Sequence, residues 1–229
     1  MLSAETEDYL KAIYEQHHQH GSPVSTSRLA EVLDVTAPTV TSMVEKLAER
    51  ELVEREKYKG VTLTPEGERV ALEVLRHHRL LETYLAEQLG YDWAEVHDEA
   101  DRLEHHISEE FERRVAEALG DPDVDPHGDP IPNGSLDPVD ELPGTRLSDH
   151  GEGATVVVNR VRDRDPEELA YLDEVGLTPG TRLTITAITP IDMLTLELAD
   201  GEEVSLPQSI AESIRVTAAE EETAGGVEA

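Results

Sequence analysis

The chain has 229 residues, no cysteine and a formal net charge of −32. Such a length holds one large domain or roughly two to three small ones. The missing cysteine excludes disulfides, thiolate metal sites and thiol chemistry; no apolar run approaches the ~18 residues of a membrane span.

The start MLSAETEDYL is acidic and lacks a signal-peptide core, so a soluble cytoplasmic protein is expected, with no membrane partner. Hydrophobic residues make up 38% of the chain and fall in periodic runs. This argues for a folded protein with a solvating acidic coat, as in a halophile with a salt-rich cytoplasm, rather than for disorder. Charge is unevenly spread. Residues 1–70 hold 8 Lys/Arg against 13 Asp/Glu, a net of −5, and residues 71–229 carry the other −27. Within 23–62 the balance is six to seven, and three of the four lysines (Lys46, Lys57, Lys59) lie there; the fourth is Lys11.

Residues 5–19 carry Tyr9, Leu10, Ile13 and Tyr14 at helical spacing. Gly21, Ser22 and Pro23 break the pattern. Ser25 or Thr26 then caps a short helix with Leu29, Ala30, Val32 and Leu33. After the turn DVTA, Pro38 stands in the first turn of a second helix that buries Val40, Met43, Val44 and Leu47. Two short helices about a tight turn form a helix-turn-helix. LVEREKYKGVTLT reads as two strands around a Lys-Tyr-Lys-Gly turn, a wing.

Thr64-Pro65 opens a long helix to about residue 89, ended by Gly90. Asp92 with Glu95 resembles a capping box, and the helix expected to follow carries HDEADRLEHH, residues 97–106. Ser108 caps another helix through Leu119. Residues 120–153 are rich in proline and glycine and read as a loop or linker. From Ala154 the runs ATVVVNRV, TRLTITAI, LTLELA, EEVSLP and SIRVT alternate between turn signals, the pattern of a small β-barrel, with one helix over 166–175. The last dozen residues look disordered.

On a helix, neighbours lie three and four apart. Asp101, Glu104 and His105 therefore share one face with His97 a turn earlier, and His78 and Glu82 are four apart on the long helix. Asp125-Pro-His127-Gly adds a further set. The acidic coat explains acids but not an excess of histidines. Oxygen and imidazole ligands without sulfur suit Mn²⁺ or Fe²⁺ better than structural zinc. His17, His18 and His20 form a trio with nothing nearby to complete a site and are assigned to solvent.

EDYLKAIY, APTVTSMVEKL, KYKGVTLTPEG, RHHRLLETYL, VHDEADRLEHHIS and DPHGDPIP, followed by the small barrel, resemble the diphtheria toxin repressor family of metal-dependent transcription regulators, in its three-domain manganese- or iron-responsive form. The resemblance spans about residues 5–217. It implies an α+β chain with a winged helix-turn-helix over 1–64 and an all-helical metal-binding and dimerisation domain over 65–140, with a linker to 153. An SH3-like barrel over 154–217, of the iron-transport-A type, and a disordered tail over 218–229 complete the chain. It also implies two metals per subunit, Mn²⁺ with Fe²⁺ as the alternative. Site one would be Asp8, Asp101, Glu104 and His105. Site two would be His78, Glu82, His97, Asp125, His127 and, by looser alignment, Asp163.

The expected protein is a homodimeric repressor of metal-homeostasis genes, not an enzyme, that binds a palindromic DNA operator. Ser27, Thr36, Ala37, Pro38, Thr39, Thr41 and Ser42 would face the groove, where small hydroxyl and apolar side chains suit thymine methyls. Arg28, Lys46, Arg50, Lys57 and Lys59 would meet phosphates, and Tyr58 lies in the wing. Three alternatives remain at this point. One is a winged-helix regulator of a non-metal ligand. Another is a carboxylate/His metalloenzyme, although no HExxH, nucleophile elbow or P-loop occurs. The third is a metal-delivery module.

Overall fold

The computed structural model describes residues 2–56, 59–139, 144–162 and 165–219. It contains two compact units. The first comprises Met1–Gly90, Val96–Asp125 and Pro130–Glu141; the second comprises Tyr91–Glu95, Pro126–Asp129 and Leu142–Ala229. The chain is α+β, and among the described residues no helix is long and apolar enough to cross a membrane.

The first unit opens with α1 (Ala4–His20). Ser3 caps it by accepting from the Thr6 amide, and Glu5 and Glu7 sit in the first turn, where the helix dipole favours acids. Its Tyr9, Leu10, Ile13 and Tyr14 face is buried, as the spacing requires. Next come α2 (Thr26–Val32), capped by Ser25, and α3 (Ala37–Glu49), capped by Thr36 with proline in its first turn. Val40, Met43, Val44 and Leu47 of α3 are buried. Strands β1 (Val53–Glu56) and β2 (Gly60–Leu63) pair antiparallel, with Val53 opposite Leu63. One core holds all of these elements together: α1, α2, α3, both strands and Ala71, Leu72 and Leu75 of the next helix.

That helix, α4 (Pro65–Leu89), has 25 residues and is about 37 Å long at 1.5 Å per residue. Gly67 sits where a Cβ would lie 1.9 Å from the Leu52 carbonyl oxygen, so only glycine lets the start of α4 press against the wing. The second half of α4 presents Leu81 and Leu85 to Val96 and Ala100 of α5 (Val96–Leu103), and Leu80 to Val115 and Ala116 of α6 (Glu109–Leu119). Arg79 donates to the Pro130 carbonyl, and Arg76 donates to the Pro132 carbonyl at 2.6 Å. These contacts tie the proline-rich segment to α4.

Two local expectations are corrected. Asp92 does not cap α5. Its Oδ1 accepts from the Ala94 amide and its carbonyl from Glu95, which forms a separate turn, and α5 starts at Val96. Moreover, α5 stops at Leu103, so Glu104, His105 and His106 lie in a turn. The Glu104 amide still donates to the Ala100 carbonyl, but the His106 amide closes a tighter turn onto Leu103. Ser108, the N-cap of α6, has an extended backbone, φ −98° and ψ 155°, which excludes one continuous helix from α5 into α6.

The second unit is a six-stranded antiparallel sheet in the order β3-β8-β4-β5-β6-β7. Its strands are β3 (Thr145–Arg146), β4 (Thr155–Val161), β5 (Arg182–Ile188), β6 (Met193–Leu198), β7 (Glu203–Pro207) and β8 (Ile214–Ala218). Register shifts at Val158/Arg160 and Ile185/Ala187 mark bulges of the kind that bend a sheet into a barrel. Alternate residues Val156, Val158, Leu183, Ile185, Leu194 and Leu196 fill its core with Leu169 and Leu172 of α7 (Pro166–Glu174). The segment read as a linker contributes β3 and a 3-10 turn over Leu147–Asp149 whose leucine is fully buried. A four-residue helix, α8 (Gln208–Ala211), joins β7 to β8. Residues 220–229, most of the expected tail, lie outside the described residues.

Candidate metal centre and nucleic-acid interface

Within the first unit, two groups of three ligand-type side chains converge, their donor atoms all within 4.8 Å of one another: Asp8 with Glu104 and His105, and His78 with His97 and Asp101. The first group joins α1 to the turn after α5. His105 Nε2 lies 2.7 Å from Asp8 Oδ1 and 3.3 Å from Glu104 Oε1, and its Nδ1 lies 2.7 Å from Glu7 Oε2.

The second group joins α4 to α5. His78 Nε2 is 2.9 Å from Glu82 Oε1 and 3.0 Å from His97 Nδ1. His97 Nδ1 is 3.1 Å from the same Glu82 oxygen, and the two rings meet edge to face at 4.8 Å. Glu82 is fully buried. The i,i+4 pairing of His78 with Glu82 is the one the sequence spacing indicates.

Glu104 links the groups. It is 1% exposed. Its Oε1 faces His105 and its Oε2 lies 2.5 Å from His78 Nδ1. Lys11 completes the arrangement. Its Nζ lies 2.8 Å from Glu104 Oε2, 3.0 Å from Asp101 Oδ1 and 3.1 Å from His78 Nδ1.

The charges follow from this packing. Burial opposes the charge of Lys11, yet Glu104, Asp101 and Glu15 more than offset it, and its pKa is raised. Burial also favours neutral Glu104 and Asp101, but hydrogen bonds from His78 and the Lys11 charge hold both carboxyls below their ordinary range. Burial and Lys11 work against a protonated His78; Glu82, Asp101 and Glu104 outweigh them, and its pKa stands well above the ordinary value. Asp8 is pushed up by burial, with His105 pulling the other way.

Several expected residues are placed differently from the spacing argument. Asp101, grouped by spacing with Glu104 and His105, sends its carboxylate toward His78, His97 and Lys11. The Asp125-Pro-His127-Gly stretch is divided between the units. Asp125 is within the first, with Oδ2 3.8 Å from Arg79 Nε. His127 is in the second, where its Nε2 lies 3.0 Å from the Trp93 carbonyl and its own carbonyl accepts from Val161. Gly128 holds that loop at φ +88°, where a Cβ would lie 2.0 Å from the Asn159 carbonyl oxygen. Asp163 lies outside the described residues. The sequence reading passed over Glu7 and His77. It noted Lys11 as standing where the two-domain manganese branch of the resembled family has a further Glu, a departure that speaks against a binuclear pair there, and did not foresee its contacts. His77 Nδ1 is 3.1 Å from the Glu104 carbonyl oxygen and fixes the turn from behind. Lys11 is also the lysine outside the near-neutral stretch.

The winged helix presents a separate face. Thr36, Ala37, Pro38, Thr39 and Ser42 at the start of α3 are exposed, as are Ser27, Lys46, Arg50 and Lys59; Arg28 and Thr41 are half-buried. Four of these hydroxyls are engaged locally: Thr36 Oγ1 and Thr39 Oγ1 lie 2.8 Å apart, Thr41 donates to the Ala37 carbonyl, and Ser27 Oγ lies 3.1 Å from Ser25 Oγ. Arg28 contacts His20 and Glu31. Lys57 and Tyr58 lie outside the described residues.

A winged helix joined to helices that bring imidazoles and carboxylates together, with a small β-unit beyond, is the architecture of a metal-responsive DNA-binding regulator. Family models match in three successive segments: the iron-dependent repressor N-terminal DNA-binding domain over residues 1–61, its metal-binding and dimerisation domain over 64–133, and a FeoA domain over 145–218. Among curated relatives, the iron-dependent repressor IdeR of Mycobacterium tuberculosis strain H37Rv is 33% identical over 222 residues, covering 92% of this chain and 96% of that protein. The diphtheria toxin repressor of Corynebacterium efficiens is 36% identical over 221 residues, covering 92% and 94%. Among solved structures, a manganese-dependent transcriptional repressor in complex with manganese superposes with a TM-score of 0.86 at 40% identity, over 93% of this chain and all of that one. IdeR of T. acidophilum gives 0.75 at 30% identity, over 96% and 100%. The chain belongs to the diphtheria toxin repressor family of metal-responsive, DNA-binding transcription repressors, and it is not an enzyme.

Proposed function

We propose that the protein is a homodimeric repressor of metal-homeostasis genes in the cytoplasm, activated by Mn²⁺, with Fe²⁺ as the alternative, at two sites per subunit, and that it binds a palindromic operator. The observation that carries this is the convergence of Asp8, from the helix leading into the reading head, with Glu104 and His105 from the turn after α5. The donors are carboxylate oxygens and imidazole nitrogens without sulfur, which fits a harder divalent ion such as Mn²⁺ or Fe²⁺.

Asp8, Glu104 and His105 would hold the first ion, with Asp101 adjoining. His78, Glu82 and His97 would hold the second, with Asp125, His127 and Asp163 as further candidates. A bound ion supplies a divalent positive centre that lets these carboxylates converge without repulsion. Asp8 and His105 would then fix α1 against the α5 turn. Because α1 shares its core with α2 and α3, the same linkage fixes the attitude of α3. Two such helices in a dimer would reach successive major grooves ~34 Å apart. By linkage, the ion raises affinity for DNA and DNA raises affinity for the ion by the same factor.

Equilibrium dialysis with Mn²⁺, Fe²⁺ under anaerobic conditions and Zn²⁺ tests the ligand sets. His105→Ala and His97→Ala should each lose one ion per chain. Unchanged stoichiometry in both variants would refute the assignment.

A further inference from the structure

Lys11 is the feature of this region that the proposed ligand sets leave unused. A lysine is a compact point charge with three donors, and this one directs its ammonium at two carboxylate oxygens, Glu104 Oε2 and Asp101 Oδ1, with His78 Nδ1, which donates to the same carboxylates, 3.1 Å away. The side chain is 12% exposed and Glu104 1%. Water contributes little at this point, and the ammonium supplies much of the positive charge facing Glu104.

The two oxygens of Glu104 are thereby divided. Oε1 faces His105 at 3.3 Å. Oε2 is engaged by Lys11 and His78. A divalent ion entering beside Asp8 and His105 meets a carboxylate that already has a cation on its other oxygen, and one approaching Asp101 meets the same ammonium.

We propose that Lys11 is a resident cation that competes with the activating ion for Glu104 and Asp101. It keeps the two carboxylates paired in the ion-free protein and so sets the ion concentration at which the repressor loads. This rests on the reading of Asp8, Glu104 and His105 as an ion site. A charge of the same sign a few ångströms away raises the concentration needed, and the partial burial limits solvent screening of that repulsion.

The test uses the full-length protein and two variants. Lys11→Met keeps the length of the stem and removes the charge; Lys11→Gln keeps a polar end. Mn²⁺ binding is measured from the free-ion electron paramagnetic resonance signal, and thermal midpoints are recorded with and without Mn²⁺. Both variants should load at an Mn²⁺ concentration about tenfold lower than wild type, since removing one nearby cation strengthens divalent binding. Both should also have lower midpoints in chelator, because Glu104 loses its countercharge, and should gain more on adding Mn²⁺. If the variants lose stability but load at the wild-type concentration or higher, Lys11 is only a packing element and the proposal fails. If wild type binds no Mn²⁺ and Asp8→Ala changes nothing, the ion-site reading itself fails and takes this inference with it.

Discussion

Glu104 shows how one side chain can carry a site. A buried carboxylate is stable only when its charge is answered, and here Lys11, His78 and the adjoining His105 answer it from different directions. Asp8 or His105 alone can be removed without leaving Glu104 bare, so those are the residues to change. Asp8→Ala and His105→Ala should each weaken Mn²⁺ binding at the α1 site by more than about 100-fold, since even outer-shell partners are worth 10–100-fold. Their thermal midpoints in chelator should stay close to wild type. Isothermal titration together with calorimetric unfolding measures both.

At this scale the sequence was informative about types and weak about partners. His78, Glu82, His97, Glu104 and His105 were legible because histidine exceeds what an acidic coat requires, and three- and four-residue spacings follow helix geometry. The contacts of Lys11 and Glu7 were not, because they reach across 93 and 98 positions of chain, and no local pattern encodes such a pairing.

At the scale of elements, caps decided most of what could be read. Ser3, Ser25, Thr36, Thr64 and Ser108 each accept from an amide of the first turn; Ser25, Thr64 and Ser108 were legible as helix starts, and the caps Ser3 and Thr36 were not read. The error in α5 is of another kind: the spacing argument carried the helix through His105, whereas it ends at Leu103 and residues 104–106 form a tighter turn. Strand β3 and helix α8 escaped because two- and four-residue elements have no periodicity to display.

Two outcomes belong to single elements. Gly67→Val should destabilise the protein by about 3 kcal/mol, a severe overpacking effect, because the added side chain meets backbone at Leu52 that cannot swing away; chemical denaturation reads this directly. The junction of α4 and α6 should be pH-sensitive. His77 and Arg76 hold the Glu112 carboxyl below its ordinary value. A depressed folded pKa gives stability that is present above the unfolded pKa of ~4.3 and lost as pH falls through the folded value. Wild type should therefore exceed Glu112→Gln in stability near neutral pH, by about 2 kcal/mol for a hydrogen-bonded charged pair. The difference should shrink below about pH 4.3. A gap that stays constant down to pH 3 would show that Glu112 contributes packing alone.

For the whole molecule, charge is the governing quantity. A net of −32 opposes the approach of DNA, and the helix-turn-helix and wing over residues 23–62 counter it only by being nearly neutral. Ordinary DNA-binding proteins lose affinity steeply as salt rises, through counterion release. This chain has few basic side chains to release counterions and a large acidic field for salt to screen. Operator affinity should hold or rise between about 0.5 and 2 M KCl; a steep fall would contradict the acidic-coat reading. The order of a reading head, a ligand-bearing helical region and a small β-unit was legible in the sequence from the change of periodicity along the chain; the start of the β-unit was not, because β3 and the buried Leu147 fall in the proline- and glycine-rich stretch read as a linker.

The central claim is that ligand convergence between α1 and the α5 turn controls the reading head. Its most direct test is fluorescence-anisotropy binding of the full-length protein to its own promoter DNA in molar KCl, first in chelator and then with Mn²⁺, for wild type and His105→Ala. Binding is expected with Mn²⁺ for wild type alone, at an affinity at least about tenfold above that in chelator, a coupling at the ordinary scale for linked sites. Equal binding in chelator and Mn²⁺, or full Mn²⁺ activation of His105→Ala, would contradict it.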